Sequence, residues 1–375
     1  MIIVEENNMK DYVTLFAQKD YVTLFTGGDG FGIGAQAAGL KPSWGIEIDG
    51  QIADWAELNT PGLSVIRADV SDVDYSALST PHWLHASPQC KNASLAKQGW
   101  EQEFDLAMAQ AVCSSIEALL PPVFSLENVW AYRKFEAFKM ILRCLTDSGY
   151  NFNFWHLNAA DYGVPQTRKR LILLSSRIGN VPVGIPATHY KLDLKADVMG
   201  LRSMFWLPWN GWYKAIEDLI PDLPRSEFAP WQRKGLSEKL TDSFDGGMPR
   251  AFLVHQGARS SPLDPARPAD TITANSNQSG VRAFIVNRQQ GRGVGIRSGI
   301  EPIHTVTTRS GPGGNPINAL LAHGYIVAMT ARALARFQSV PDGYQLPKKR
   351  GLACKIIGNM VPPLLAQRIV EEVMK

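Results

Sequence analysis

The sequence predicts a doubly wound, mostly parallel α/β sheet together with a second, smaller and irregular region. Three observations carry this. From Val22 to Ser175, short β-branched or aromatic runs alternate with helical patterns, the rhythm of βαβ units covered on both faces. A glycine-rich turn, FTGGDGFGIG, directly follows the first strand pattern. After Ile178 prolines become frequent, Trp206, Trp209, Trp212 and Trp231 cluster, and the alternation is lost.

The elements follow in order. Val22–Phe25 is a strand, Gly27–Gly34 a glycine-rich turn, and Ala35–Gly39 a short helix ended by its glycine. Ser43–Ile48 reads as the second strand, and Gln51–Asn59 as a helix that stops before Pro61. Ser64–Ile66 is strand-like and leads to Asp69; His82–Ala86 is a further strand. Phe104–Leu120 has helical periodicity, Val123–Leu126 is a buried strand and Phe135–Ser148 an amphipathic helix. Leu171–Ser175 is an apolar strand, read as lying at a sheet edge, and helical pattern returns at Thr330–Gln338 and Pro362–Met374 only. The expected division is an extension over residues 1–19, a large domain over 20–185 and 330–375, and a small one over 186–329. Lys10–Phe16 and Lys19–Phe25 both read KDYVTLF. Only the second copy runs into the glycines, so the first is treated as a duplicated extension without a physical role.

Composition excludes several classes. The net charge is only +3, so a nucleic-acid surface would have to be a local basic patch. Cys90, Cys113, Cys144 and Cys354 are far apart, without metal-ligand spacing or a disulfide framework, which predicts no metal and a reducing setting. No apolar run approaches the roughly 18 residues that span a bilayer, and MIIVEENNMKDY lacks the pattern of a signal peptide. The expectation is a cytoplasmic protein without a membrane partner.

The glycine turn sits where a nucleotide-type ligand binds, yet it fails G-x-G-x-x-G in every register. Glu47 ends the second strand, where a carboxylate can take both hydroxyls of a ribose, and Asp69 ends the third, where one can accept from the amine of adenine. Either alone is more often a solvated cap. As an ordered set they suit an adenosine ligand whose tail is not a pyrophosphate, and S-adenosylmethionine meets that description. Cys90, in HASPQCKNAS, begins as one more small buried hydrophobe. Against that reading, it lies in a polar loop at the ligand-bearing edge of the sheet. Glu127, in FSLENVW, ends a buried strand, where desolvation would raise its pKa. YGVPQTRKRL aims Arg168 and Arg170 at something anionic, unless they are a solvated charge run.

In order, LFTGGDGFGIG, EID, ADV, SPQC, LENV, ADYGVPQTRKR, AIEDL, ARFQSVPDGY and IGNMVPP resemble the motifs of DNA (cytosine-5)-methyltransferases, over residues 22 to 372. The resemblance implies a Rossmann-like, S-adenosylmethionine-dependent methyltransferase domain that yields S-adenosylhomocysteine, and a smaller target-recognition domain. It implies that a flipped cytosine of duplex DNA is attacked by Cys90, with Glu127 on its N3 and exocyclic amine, and Arg170, with Arg168 behind it, near its O2. Phe25, Gly27, Gly30, Glu47, Ile48, Asp69 and Val70 would surround the cofactor, and Asn359 and Val361 would reach its methionine end. Ser87, Pro88, Lys91 and Gln166 would serve the target base and the loops around it. Arg288, Arg292 and Arg297, in NRQQGRGVGIR, would meet phosphates and base edges. A monomer is implied, with a cognate restriction endonuclease as partner.

Three positions depart from the family pattern. Gln89 stands where a second proline is usual, Lys91 where a glutamine is, and Asp29 where a glycine is, which puts a carboxylate near the cofactor's charged end. Other readings stay open: a transfer-RNA cytosine-5 methyltransferase, a DNA-binding homologue without catalysis, a C5 transferase using a variant sulfonium cofactor and, weakest, a nicotinamide oxidoreductase.

Overall fold

The computed structural model describes residues 19–89, 101–191, 206–226, 251–255, 268–270, 281–286 and 324–375. The first KDYVTLF copy, Cys90, Lys91, Arg288, Arg292 and Arg297 lie outside them. The chain forms two compact units, one of residues 1–158, 169–186 and 360–375, the other of 159–168 and 187–359. Residues 159–168 and 330–359 thus fall with the second unit, where the sequence expectation had them in the large domain.

In the first unit β1 (Asp20–Leu24), β2 (Lys41–Ile46), β3 (Ser64–Ile66), β4 (Trp83–Ala86), β5 (Val123–Asn128), β6 (Asn151–Asn158) and β8 (Lys169–Ser176) build one sheet in the order β3-β2-β1-β4-β5-β8-β6. The pairs from β3 to β5 are parallel, and β8 runs antiparallel to both β5 and β6. β1 is buried along its whole length because strands flank it and helices cover both its faces. The chain leaves β1 for β2 and β3, then returns to β4 on its other side. That reversal opens a crevice beyond the carboxyl ends of β1 and β4. The sequence reading is corrected here on one strand and extended by another. β8 is an interior strand, and the edge is β6, whose NFNFWHLN has too mixed an alternation to be read as a strand.

On one face, α3 (Glu103–Leu119) and α4 (Glu136–Asp147) close the core: Val22, Leu84, Phe124 and Leu126 of the sheet meet Met108, Val112 and Ile116 of α3 and Phe138, Ile141 and Leu145 of α4. α4 buries Ala137, Phe138, Ile141, Cys144 and Leu145, a stripe at helical spacing. α1 (Gly30–Ala37) packs on α8 (Pro363–Val373). α1 begins five residues earlier than its sequence suggests, inside the glycine run. The low helix propensity of glycine is overridden by close approach: a β-carbon on Gly30 would lie 2.3 Å from the Val361 carbonyl oxygen, and one on Gly34 2.2 Å from that of Pro363.

The second unit holds an antiparallel sheet ordered β11 (Arg225–Ser226), β15 (Gly324–Ala328), β14 (Val281–Val286), β12 (Ala251–His255). β7 (Gln166–Thr167) pairs with β13 (Ala269–Asp270), and β9 (His189–Tyr190) with β10 (Leu207–Pro208). α5 (Trp212–Ile216) packs on α6 (Ala331–Phe337), where Arg336 pairs with Asp342 at 2.7 Å and also with Asp218. α7 (Arg350–Asn359) is a helix that the sequence reading does not contain. Its glycines and mixed polarity hide the buried side, Ala353, Cys354, Ile356 and Ile357.

Candidate active site at the carboxyl edge of the sheet

The turn after β1 is held by backbone conformations that few residues adopt. Phe25, Gly27 and Asp29 all have positive φ, at 60°, 56° and 55°. Glu47, the first residue after β2, is buried and fixes this turn: its Oε2 accepts the Gly27 amide at 2.9 Å, and its Oε1 the Asp49 amide at 2.9 Å. Each oxygen keeps a lone pair for a further donor such as a ligand hydroxyl. Ile48, next in sequence, leaves 66% of its surface exposed, an apolar face available to a flat ring. Asp69 caps a short helical turn, its Oδ1 taking the Ser71 amide at 3.0 Å and hydroxyl at 2.8 Å, and its other oxygen has no such role. Val70 is turned into the core, and Tyr75 hydroxyl donates to its carbonyl at 2.7 Å, so its side chain is structural. Gly30 makes room for the chain at Met360 and Val361, and Val361 is itself buried. An adenosine ligand fits these donors, acceptors and open apolar surface.

Asp29 is not where the sequence places it. Its carboxyl turns inward, fully buried, and Oδ2 accepts the Tyr21 hydroxyl at 2.9 Å and the Thr60 hydroxyl at 2.9 Å. The reason is geometric: with left-handed backbone at Asp29 and no side chain at Gly32, the short carboxyl falls between β1 and the helix. A β-carbon on Gly32 would lie 2.2 Å from Asp29 Oδ2 and 2.3 Å from the Tyr21 hydroxyl.

Along the edge from this turn, Ser87 follows β4, its amide donating to the Leu24 carbonyl at 3.4 Å. Asn128 Nδ2 donates to the Pro88 carbonyl at 3.1 Å, and Asn128 Oδ1 accepts the Val129 amide at 2.8 Å. Asn128 thereby ties the segment leading to Cys90 to the end of β5. Sequence reasoning missed it, although LENV contains it. The neighbouring Glu127 is 6% exposed, and Arg170 Nε lies 2.8 Å from its Oε1 as an ion pair. The N–H does not aim along that line, so among the described residues Oε1 has no donor at hydrogen-bond geometry. Where the sequence expects a lone desolvated acid, the structure supplies a counter-charge: the anion Arg170 meets is Glu127 itself. The antiparallel β8 causes this, because it starts at the edge where β5 ends.

His85, also missed, lies beneath the same segment. Its ring stacks on Phe31 of α1 at 3.8 Å and 1°, and its Nδ1 is 2.8 Å from Ser125 Oγ, which also accepts Trp83 Nε1 at 2.8 Å. Burial pushes its pKa down to about 3, so the ring is neutral.

In the second unit, Arg168 is buried and its Nη1 donates to the Gly358 carbonyl at 3.1 Å, bracing the end of α7 beside the exposed Asn359. The Gln166 side chain is fully buried, with neither amide atom hydrogen-bonded among the described residues. Among those residues no group of His, Cys, Asp and Glu could hold a metal, and no helix is long and apolar enough to cross a membrane.

A doubly wound sheet with a glycine turn, carboxylates after β2 and β3, and a paired buried glutamate at its carboxyl edge is a Rossmann-like methyltransferase architecture. The family model for C-5 cytosine-specific DNA methylases matches residues 20–375, and the chain belongs to that family. Type II methyltransferase M.XorII of Xanthomonas oryzae is 23% identical over 393 residues, covering 93% of this chain and 83% of that protein. Type II methyltransferase M.Eco47II of Escherichia coli is 34% identical over 212 residues, 53% of this chain and 48% of that one. Among solved structures, the S. pombe Dnmt2 methyltransferase superposes with a TM-score of 0.58 at 14% identity, covering 95% of this chain and 98% of that one. At that identity it speaks for the fold alone.

Proposed function

We propose that this enzyme methylates C5 of cytosine in duplex DNA, with S-adenosylmethionine as methyl donor and Cys90 as nucleophile, the target base being swung out of the helix. The observation that carries the reading is the buried Glu127–Arg170 pair at the carboxyl edge, next to the Pro88 carbonyl that Asn128 holds. When bound, the cofactor supplies an electrophilic methyl on a sulfonium. Glu47 would orient it through its ribose, with Gly27 kept in place by the same carboxylate. Asp69 would take its amine, and Ile48 would cover its base.

The remaining work falls to the chain. Glu127 would accept from the exocyclic amine of the cytosine and hold N3 through a proton shared between its carboxyl and the ring nitrogen, with Arg170 Nε 2.8 Å from its Oε1. Arg170 keeps that carboxyl oriented. The Cys90 thiolate would form the S–C6 bond, which makes C5 nucleophilic. After C5 gains the methyl, loss of the C5 proton and of the thiolate restores the aromatic ring. The second unit would read the target, and a monomeric state and a cognate endonuclease belong to the same proposal. The test is transfer of labelled methyl groups to duplex DNA and, side by side, to transfer RNA, with nucleoside mass spectrometry of the product. 5-Methylcytosine in DNA is expected from the wild type. Activity surviving in Cys90→Ser would overturn the role given to Cys90.

A further inference from the structure

Asp29 stands in the turn that would receive the cofactor, yet it takes no part in the proposed transfer. It is buried on all sides. From β1 Tyr21 faces it, from the end of α2 (Gly50–Asn59) Thr60, and from its own helix the Gly32 amide, with Gln36 Nε2 reaching the Tyr21 hydroxyl at 3.2 Å. No charged side chain among the described residues acts on it. Both hydroxyl donors converge on Oδ2, while Oδ1 is buried without a donor at hydrogen-bond geometry. Oδ1 is therefore the oxygen suited to carry a proton. Burial pushes the pKa of this carboxyl up to about 7, against the smaller opposing pull of Tyr21, Thr60 and the Gly32 amide. Tyr21, raised by burial and by Asp29, keeps its proton, so Asp29 is the group that titrates.

We propose that Asp29 is a titratable positioning residue of the cofactor turn: neutral and turned inward, it clamps the Gly27–Phe31 turn to β1 and to the end of α2, and on ionisation it releases the turn. The inference rests on the cofactor reading above. A carboxylate with two hydroxyl donors and no counter-charge is poorly solvated where it lies. Ionisation favours conformers that carry it out toward water, and the left-handed backbone at Asp29 moves with it. The turn competent to bind then becomes a minority, and affinity falls in proportion.

Equilibrium binding of S-adenosylmethionine and of S-adenosylhomocysteine, measured between about pH 6 and pH 8.5 on the wild type and Asp29→Asn, tests this. Asparagine tolerates the left-handed backbone and keeps an acceptor for both hydroxyls. The expected wild-type Kd rises by up to about tenfold per pH unit above neutrality for both ligands, and by up to about 30-fold at the upper end. The Asp29→Asn ratio stays flat once titration of the ligand's own amine, common to both proteins, is divided out. Thr60→Val, which removes a donor that favours the anion, moves the midpoint up by about half to one unit. A wild-type Kd independent of pH, or an Asp29→Asn profile matching the wild type, overturns the proposal. So does a rise seen with S-adenosylmethionine alone, because a released turn must weaken both ligands alike. Thermal unfolding without ligand separates this from failure of the cofactor reading. If neither ligand binds the wild type, that reading falls, while a wild-type Tm that falls relative to that of Asp29→Asn as pH rises from about 4 to 7 still supports the titrating clamp. Equal Tm profiles overturn it.

Discussion

Gly34→Ala sets two effects of known sign against each other. In an unconstrained helix, replacing glycine by alanine stabilises by about 1 kcal/mol. Here the new β-carbon would lie 2.2 Å from the Pro363 carbonyl oxygen and 2.7 Å from both the Ala366 β-carbon and the Gln367 amide. None of these is the end of a flexible side chain, so α1 and α8 must move apart by about 1 Å to restore ordinary contact distances. Overpacking of this kind costs about 1–3 kcal/mol, and parting the helices loosens neighbouring contacts as well. The steric effect wins, with a net loss of about 1–2 kcal/mol. Urea unfolding followed by circular dichroism gives the midpoint and slope. Gly179→Ala, where nothing lies within 4 Å, serves as the control and stays within about 0.5 kcal/mol of the wild type. A Gly34→Ala protein as stable as the wild type, or more so, would show that propensity and not close approach governs this helix, and would refute the account of why the glycine run folds as one.

Two further predictions follow from the buried charges. Arg170→Met leaves Glu127 buried without its counter-charge and destabilises by about 3 kcal/mol, the lower end for breaking a buried pair because the site lies at a sheet edge; Arg170→Met with Glu127→Leu regains stability but not methyl transfer. An Arg170→Met protein with wild-type stability would sink this. His85, held neutral with its pKa depressed from 6.5 to about 3, contributes stability that is present above about pH 6.5 and lost as pH falls toward 3, roughly 5 kcal/mol in all. Asp29, raised from 3.8 to about 7, has the opposite sign: its contribution is full at low pH and is lost as pH rises, by roughly 4 kcal/mol. Between about pH 4 and 6.5 the two slopes cancel, so the wild type unfolds with little pH dependence there, whereas Asp29→Asn is steadily destabilised by acid. Denaturant midpoints across that range check it, and a flat profile in Asp29→Asn would refute the His85 assignment.

Much of this protein was legible as sequence because the signals are local. Strands buried on both faces are rich in aliphatic, β-branched and aromatic residues, as in β1 and β5, and α4 shows its inward stripe at helical spacing. Glu47, Asp69 and Glu127 stand where strands end, and a parallel sheet brings strand ends to one edge without further information. The ordered motifs sufficed for the family. What the sequence could not show depends on partners distant along the chain. The glycine run is a helix only because α8 arrives more than 300 residues later and demands its close approach. β6 and β8 change places as edge and interior because their pairing is antiparallel, which no periodicity reports. Arg170 meets Glu127 through that same pairing, and Asn128 reaches Pro88 across two adjacent strands. Asp29, placed by its position in the turn beside a ligand's charge, is turned by one left-handed residue and one missing β-carbon into the interior. Local chemistry chose the elements and the carboxylates at their ends, while the choice of partner for each buried charge belonged to the tertiary structure, because it depends on distances that only packing sets.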